Sequence, residues 1–102
     1  MPHLIIETTK PIEKSVVKAL HDELGSQETV KLESVKTRLV GSLVHFRGEG
    51  SNNDHVHLVV KLLPGRSSDL KKKMSENLHK KAVEYLDTPV SVEVIDLGEY
   101  SK

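Results

Sequence analysis

The chain has 102 residues and carries 15 Lys plus Arg against 15 Asp plus Glu, so its formal net charge is zero. That length holds one hydrophobic core, and the charge balance leaves no global field to attract a nucleic acid or a membrane surface. Without cysteine, disulfides, thiol catalysis and Cys-based zinc sites are excluded and a reducing compartment fits. No apolar stretch is long enough for a membrane span or a signal core, so the expectation is a cytoplasmic protein.

The first chemically informative residue is Pro2. A small second residue lets the initiator methionine be trimmed, which leaves Pro2 with a free secondary amine. Such an amine works in proton transfer once nearby cations and an apolar pocket lower its pKa. Directly behind it, His3–Thr8 reads as a strand. Pro11–Leu24 reads as a helix, with Pro11 suited to a first turn and Gly25 to a C-terminal cap. A second strand is expected over Val35–Phe46, interrupted at Gly41-Ser42 by a possible bulge. The stretch Arg47–Asp54, rich in Gly, Ser and Asn, is a linker.

His55–Leu63 alternates as a third strand and Pro64-Gly65 turns the chain. Ser67 or Ser68 can cap a helix over Ser68–Leu86. Asp87-Thr88-Pro89 stops that helix, and Val90–Leu97 reads as a fourth strand. The basic runs Lys71-Lys72-Lys73 and Lys80-Lys81 lie in the helical pattern and read as a solvated face rather than a phosphate-binding one.

The chain repeats itself. At a shift of 54 positions, His3-Leu4-Ile5-Ile6 falls on His57-Leu58-Val59-Val60. At the same shift Val16, Leu20 and Leu24 fall on Leu70, Met74 and Leu78, the spines of two amphipathic helices. Val40 falls on Val94 and Leu43 on Leu97. Two copies of a β-α-β unit follow, each with parallel strands, giving one four-stranded α/β sheet with both helices on one face. In the third strand Val56, Leu58, Val60 and Leu62 then face the helices, while His55, His57, Val59, Lys61 and Leu63 face away. That second face is neither polar nor apolar, and two helices cannot cover it. Burial by other copies, with three-fold or six-fold closure, is the expectation.

Pro2, the duplicated β-α-β unit and the turn Pro64-Gly65-Arg66-Ser67 together resemble the tautomerase superfamily, and within it the 5-carboxymethyl-2-hydroxymuconate isomerases. The opening Met1-Pro2-His3-Leu4-Ile5-Ile6-Glu7 is similar to that family's start. His55 through Ser67 resembles the stretch carrying its active-site arginine, and Ser34-Val35-Lys36-Thr37-Arg38 resembles its second strand. The resemblance implies a single tautomerase-like domain over 1–102, with repeats at about 2–46 and 55–98. It also implies a homotrimer with no metal and no cofactor, acting on a small carboxylate substrate. The implied reaction moves a proton between carbons of an unsaturated 2-hydroxy or 2-keto dicarboxylic acid. Pro2 is then general base and acid, Arg66 the second catalytic residue, and Lys36 and Arg38 the substrate-binding candidates. Lys36 aligns best with the family's second-strand arginine, but lysine lacks the bidentate fork that Arg38 offers. Related sites use an aromatic wall to keep the amine dry, for which Phe46 is the candidate here.

The residue types suit this chemistry. A proton α or γ to a carbonyl becomes acidic only when the resulting enolate is stabilised. A guanidinium does that, and the same charge disfavours protonation of a neighbouring amine. Arg66 could instead merely hold a turn or pair with Asp69, and Lys36 and Arg38 could be solvated strand cations. His3, His55 and His57 form a conceivable metal cluster, although strand histidines are usually structural. Alternatives on the same fold are decarboxylation, hydration or dehalogenation of unsaturated acids, or a trimeric binding protein without activity.

Overall fold

The computed structural model describes residues 2–49 and 53–102, so Met1 and part of the expected linker lie outside the described residues. The elements run β1 (His3–Thr8), α1 (Lys14–Gly25), a short 3-10 turn (Leu32–Ser34), β2 (Lys36–Gly41), β3 (Val56–Leu62), α2 (Ser68–Tyr85) and β4 (Val90–Asp96). The sheet order is β2-β1-β3-β4. Strands β1 and β2 are parallel, as are β3 and β4, and the central pair β1/β3 is antiparallel. This is the mixed four-stranded sheet, with two helices, that the duplicated β-α-β pattern calls for.

Alternation decides which face is core. Leu4 and Ile6 of β1 and Val56, Leu58, Val60 and Leu62 of β3 pack with Val16, Leu20 and Leu24 of α1 and Met74, Leu78 and Ala82 of α2. Each fully buried Leu in such a layer contributes about 1.5–3 kcal/mol. Helix α2 buries a stripe displaced by one turn from the expected spine: Leu70 is only partly buried, while Ala82 is inside. The two helices start in register, Lys14 and Ser68 being 54 positions apart, and Ala82 lies in the residues by which α2, with 18, outlasts α1, with 12.

Three boundaries differ from expectation. Helix α1 starts at Lys14 rather than Pro11, with Glu13 as an N-cap of extended backbone. The residues before it are used to seat Ile12 in the core. Gly25 is the last helical residue rather than a left-handed cap, and its lack of a side chain serves close packing. A Cβ there would lie 3.0 Å from Cβ and 3.1 Å from Cα of Leu32, and would clash with Leu32 Cδ1. Strand β2 stops at Gly41 instead of Phe46. Its ladder on β1 ends at the Thr8–Gly41 pair, and after the Ser42 N–H bond to the Thr8 carbonyl the residues 43–46 belong to no strand. Leu43, Val44 and Phe46 are left strongly exposed. Ser67 is the cap of α2, its Oγ accepting from the Leu70 N–H at 3.2 Å.

The duplication is real but carries one slip. Pairing His3 with Lys61 and Glu7 with His57 is what a local two-fold axis through the Ile5–Val59 pair requires. In the first unit Lys36 lies opposite His3, thirty-three positions on, whereas in the second Val90 lies opposite Val56, thirty-four on. The structural counterparts of Lys36, Arg38 and Val40 are therefore Ser91, Glu93 and Ile95. Val94, the ungapped match of Val40, packs on the core side instead, as a one-residue slip demands. Among the described residues no helix is long and apolar enough to cross a membrane.

Candidate active site

Strand directions gather the candidate residues at one end of the sheet. The starts of β1 and β2 and the ends of β3 and β4 lie together there. Pro2 is buried at that end, and its carbonyl accepts the Lys36 backbone N–H at 2.9 Å. Lys36 and Arg38 follow on the face away from the helices, opposite His3 and Ile5, and Lys61 completes the row on β3. The turn carrying Arg66 leaves β3 at the same end, with Gly65 in the left-handed region at φ +121°, where a residue without Cβ is favoured.

Arg66 is committed to a local structure. Its Nε donates to Thr29 Oγ1 at 2.8 Å, one Nη to the Thr29 carbonyl at 3.1 Å and the other to the Leu63 carbonyl at 3.3 Å. Thr29 sits at φ +70°, a conformation that costs a non-glycine residue of order 1–3 kcal/mol and persists where its surroundings enforce it. The guanidinium clamps the 26–30 loop to the turn after β3 and keeps two of its five N–H donors for other use. Its partners are thus Thr29 and Leu63, not Asp69. Arg66→Lys removes the fork, so unfolding in urea should show a loss of about 1 kcal/mol.

Two residues that sequence reasoning left outside the site belong to this end. His3 Nδ1 is 3.4 Å from Arg38 Nη1, and its Nε2 is 2.9 Å from the Tyr100 hydroxyl. The His3 and Tyr100 rings also meet edge to face, 5.8 Å between centroids. Burial, then the charges of Arg38, Lys36 and Lys61, hold the His3 imidazole below its ordinary pKa. Among the described residues the aromatic group at this end of the sheet is therefore Tyr100. Phe46 lies at the opposite end, beside Arg47, His55 and Pro89 around a cavity of about 360 Å³.

The opposite end is the charge-reversed counterpart. The two-fold relation carries His3 to His57, Lys61 to Glu7, Lys36 to Ser91 and Arg38 to Glu93. There His57 Nε2 donates to Glu93 Oε1 at 3.0 Å and the Ser91 hydroxyl meets His57 Nδ1 at 2.6 Å. The three strand histidines do not converge: His3 pairs with Lys61 at one end, while His57 and His55 lie at the other. Among the described residues no group of three His, Asp or Glu side chains is placed to hold a metal ion.

Among the described residues, the cavities between the helices and around β2, β3 and β4 are lined by groups other than Pro2, Lys36, Arg38 and Arg66. One of about 300 Å³ lies between the helices, against Gln27, Met74 and Asn77.

Comparison with solved structures gives the same fold. A 5-carboxymethyl-2-hydroxymuconate isomerase from Deinococcus radiodurans R1 superposes with a TM-score of 0.77 at 20% identity, over 99% of this chain and 88% of that one. A protein crystallised after inactivation by 2-oxo-3-pentynoate gives 0.80 at 20% identity, over 93% and 85%. A fused 4-OT wild-type symmetric trimer gives 0.78 at 20% identity, also over 93% and 85%. No curated protein sequence matches the chain. The sequence profile of 5-carboxymethyl-2-hydroxymuconate isomerase, however, matches residues 2–98. With nearly its whole length inside that profile, the chain belongs to the 5-carboxymethyl-2-hydroxymuconate isomerase family.

Proposed function

We propose that this protein is a cofactor-independent tautomerase of small unsaturated 2-hydroxy or 2-keto dicarboxylic acids, working through the Pro2 amine once Met1 is removed. The observation that carries the reading is the charge asymmetry of the open sheet face. Of two pseudo-equivalent ends, the one where the chain starts holds Lys36 and Lys61, and Arg38, level with the two-fold axis on the β2 edge, reaches it through His3. Their counterparts are Ser91, Glu7 and, on the β4 edge, Glu93, which reaches His57. An acidic substrate is drawn to the first end and repelled by the second.

In the reaction the amine lone pair takes a proton from the carbon α or γ to the carbonyl. The electrons of that C–H bond move into the conjugated system, and negative charge develops on the 2-oxygen. Cations at this end stabilise it as it forms. The ammonium then returns the proton to the other carbon, and the amine is regenerated. Lys36 and Arg38 are the carboxylate-holding groups. In this reading the two N–H donors of Arg66 not spent on Thr29 and Leu63 contribute to that stabilisation. Assay of Met-free protein with 2-hydroxymuconate-type acids tests the reading; halogenated acrylates and decarboxylation substrates should be turned over more slowly.

The working form in this reading is a homotrimer, as in the 4-OT structure above. Its support here is exposed apolar surface: Leu43 is 102%, Val44 77% and Phe46 71% exposed, on a segment whose backbone finds no partner in its own sheet. A stretch of this kind is suited to pairing with a neighbouring copy. Phe46→Asp should shift sedimentation from trimer towards monomer and lower activity with it. A monomeric wild type would contradict the assembly.

A further inference from the structure

The contacts of His3 fix its protonation state. Arginine has no acceptor, so the Arg38 Nη1 contact at 3.4 Å must run from the guanidinium to Nδ1. A neutral imidazole with Nδ1 as acceptor carries its hydrogen on Nε2, which donates to the Tyr100 hydroxyl 2.9 Å away. Every charge that acts on this ring is a cation, namely Arg38 and Lys36 on β2, the amino terminus of the chain and Lys61 on β3, and Tyr100 is its remaining polar neighbour. At the pseudo-equivalent position His57 points a nitrogen at a carboxylate instead. A histidine wedged among cations is thus particular to the end where the chain starts.

We propose that His3, held as the Nε2–H tautomer by the donor-only guanidinium at Nδ1 with the Tyr100 hydroxyl taking the Nε2 hydrogen, is the positioning residue that holds Arg38 for the substrate carboxylate, and that its protonation releases Arg38. This rests on the reading of that end as the acid-binding site. It also assigns Arg38, rather than Lys36, as the bidentate carboxylate group. Protonated His3 presents N–H to a guanidinium, the contact becomes a repulsion, and Arg38 swings away.

The sign follows from the depressed pKa. His3 is neutral in the folded protein throughout the range above about 6.5, its ordinary value. Substrate affinity is therefore full there and falls only as pH drops below that value. The stability that the neutral ring contributes is lost over the same acid window.

The test uses full-length, Met-free protein. His3→Leu removes the acceptor and should raise KM roughly tenfold with kcat nearly unchanged, the size of one charge-assisted hydrogen bond. His3→Asn, whose amide oxygen can stand where Nδ1 stood, should restore KM and abolish its acid-side rise. Combined with Arg38→Met, His3→Leu should add nothing further. Equal KM for wild type and His3→Leu, or full additivity with Arg38→Met, overturns the proposal. A tautomer with the hydrogen on Nδ1, read by nitrogen-detected NMR, overturns it too. Should the protein turn over no dicarboxylate, the functional reading has failed by itself. Binding of 2-oxoglutarate followed by NMR then decides for His3: weaker in His3→Leu and recovered in His3→Asn supports it, equal affinity in all three refutes it.

Discussion

Protein that keeps Met1 is expected to turn over substrate about 100- to 10,000-fold more slowly than the trimmed form, the usual contribution of a positioned general acid–base group. An acylated proline nitrogen is an amide and cannot take up a proton at neutral pH, whatever cations surround it. The loss should appear in kcat, while KM stays close to that of the trimmed protein, because Lys36, Arg38 and Arg66 are untouched. Pro2→Ala is the milder lesion. It leaves a primary amine, with an ordinary pKa near 7.7–8.0, that can still exchange a proton, but one freed from the ring that fixes its direction. Its rate should fall between those of the two wild-type forms. The comparison is made by separating the two by intact mass and assaying each. Equal rates would remove the amine from the mechanism.

Gly25→Val should destabilise the protein by about 1–3 kcal/mol, the range for forcing side-chain volume into a packed site. The usual gain from replacing a helical glycine, up to about 1 kcal/mol, does not offset this. The atoms in the way include Leu32 Cα at 3.1 Å, which cannot rotate aside as a side-chain tip can. The damage also has a direction. Leu32 begins the short turn Leu32–Ser34 that feeds β2, and β2 carries Lys36 and Arg38. Displacing it should raise KM in the surviving folded protein as well as lower the urea midpoint. Unchanged stability in Gly25→Val would mean that the close approach is not a constraint on the fold.

Much of this architecture was legible because it is written locally. Alternation in β1 and β3 separates core from open face without any tertiary information. Pro64-Gly65 and Ser67 mark the turn and cap where the chain uses them. What escaped was what depends on a distant partner. The end of β2 is set by where β1 runs out, not by the apolar residues from Leu43 to Phe46. The one-residue slip between the repeats is invisible to an ungapped comparison, because Val40 and Val94 are alike in chemistry and opposite in facing. Leu70 matches the core residue Val16 in the repeat, yet it lines the groove between the helices, which only their packing reveals.

The site divides in the same way. Pro2, Lys36 and Arg38 are candidates by residue type and by place in the strands, and the strand register brings them together. That Arg66 would spend three donors on Thr29 and Leu63 could not be read from the turn, since nothing about Thr29 marks it as a partner. His3 stood beside Pro2 in plain view, but its meaning depends on Tyr100, 97 positions away in the chain.

The most direct test of the central claim is to treat Met-free protein with 2-oxo-3-pentynoate and map where it attaches. Conjugate addition of an unprotonated amine to the alkyne forms one N–C bond, and a proton from water completes the adduct without any leaving group. The account predicts that the whole mass of the reagent appears once per chain on the nitrogen of Pro2, with activity lost in step, and that 2-oxoglutarate slows the labelling. Attachment at a lysine or histidine with Pro2 unmodified, or full activity after Pro2 is labelled, would contradict it.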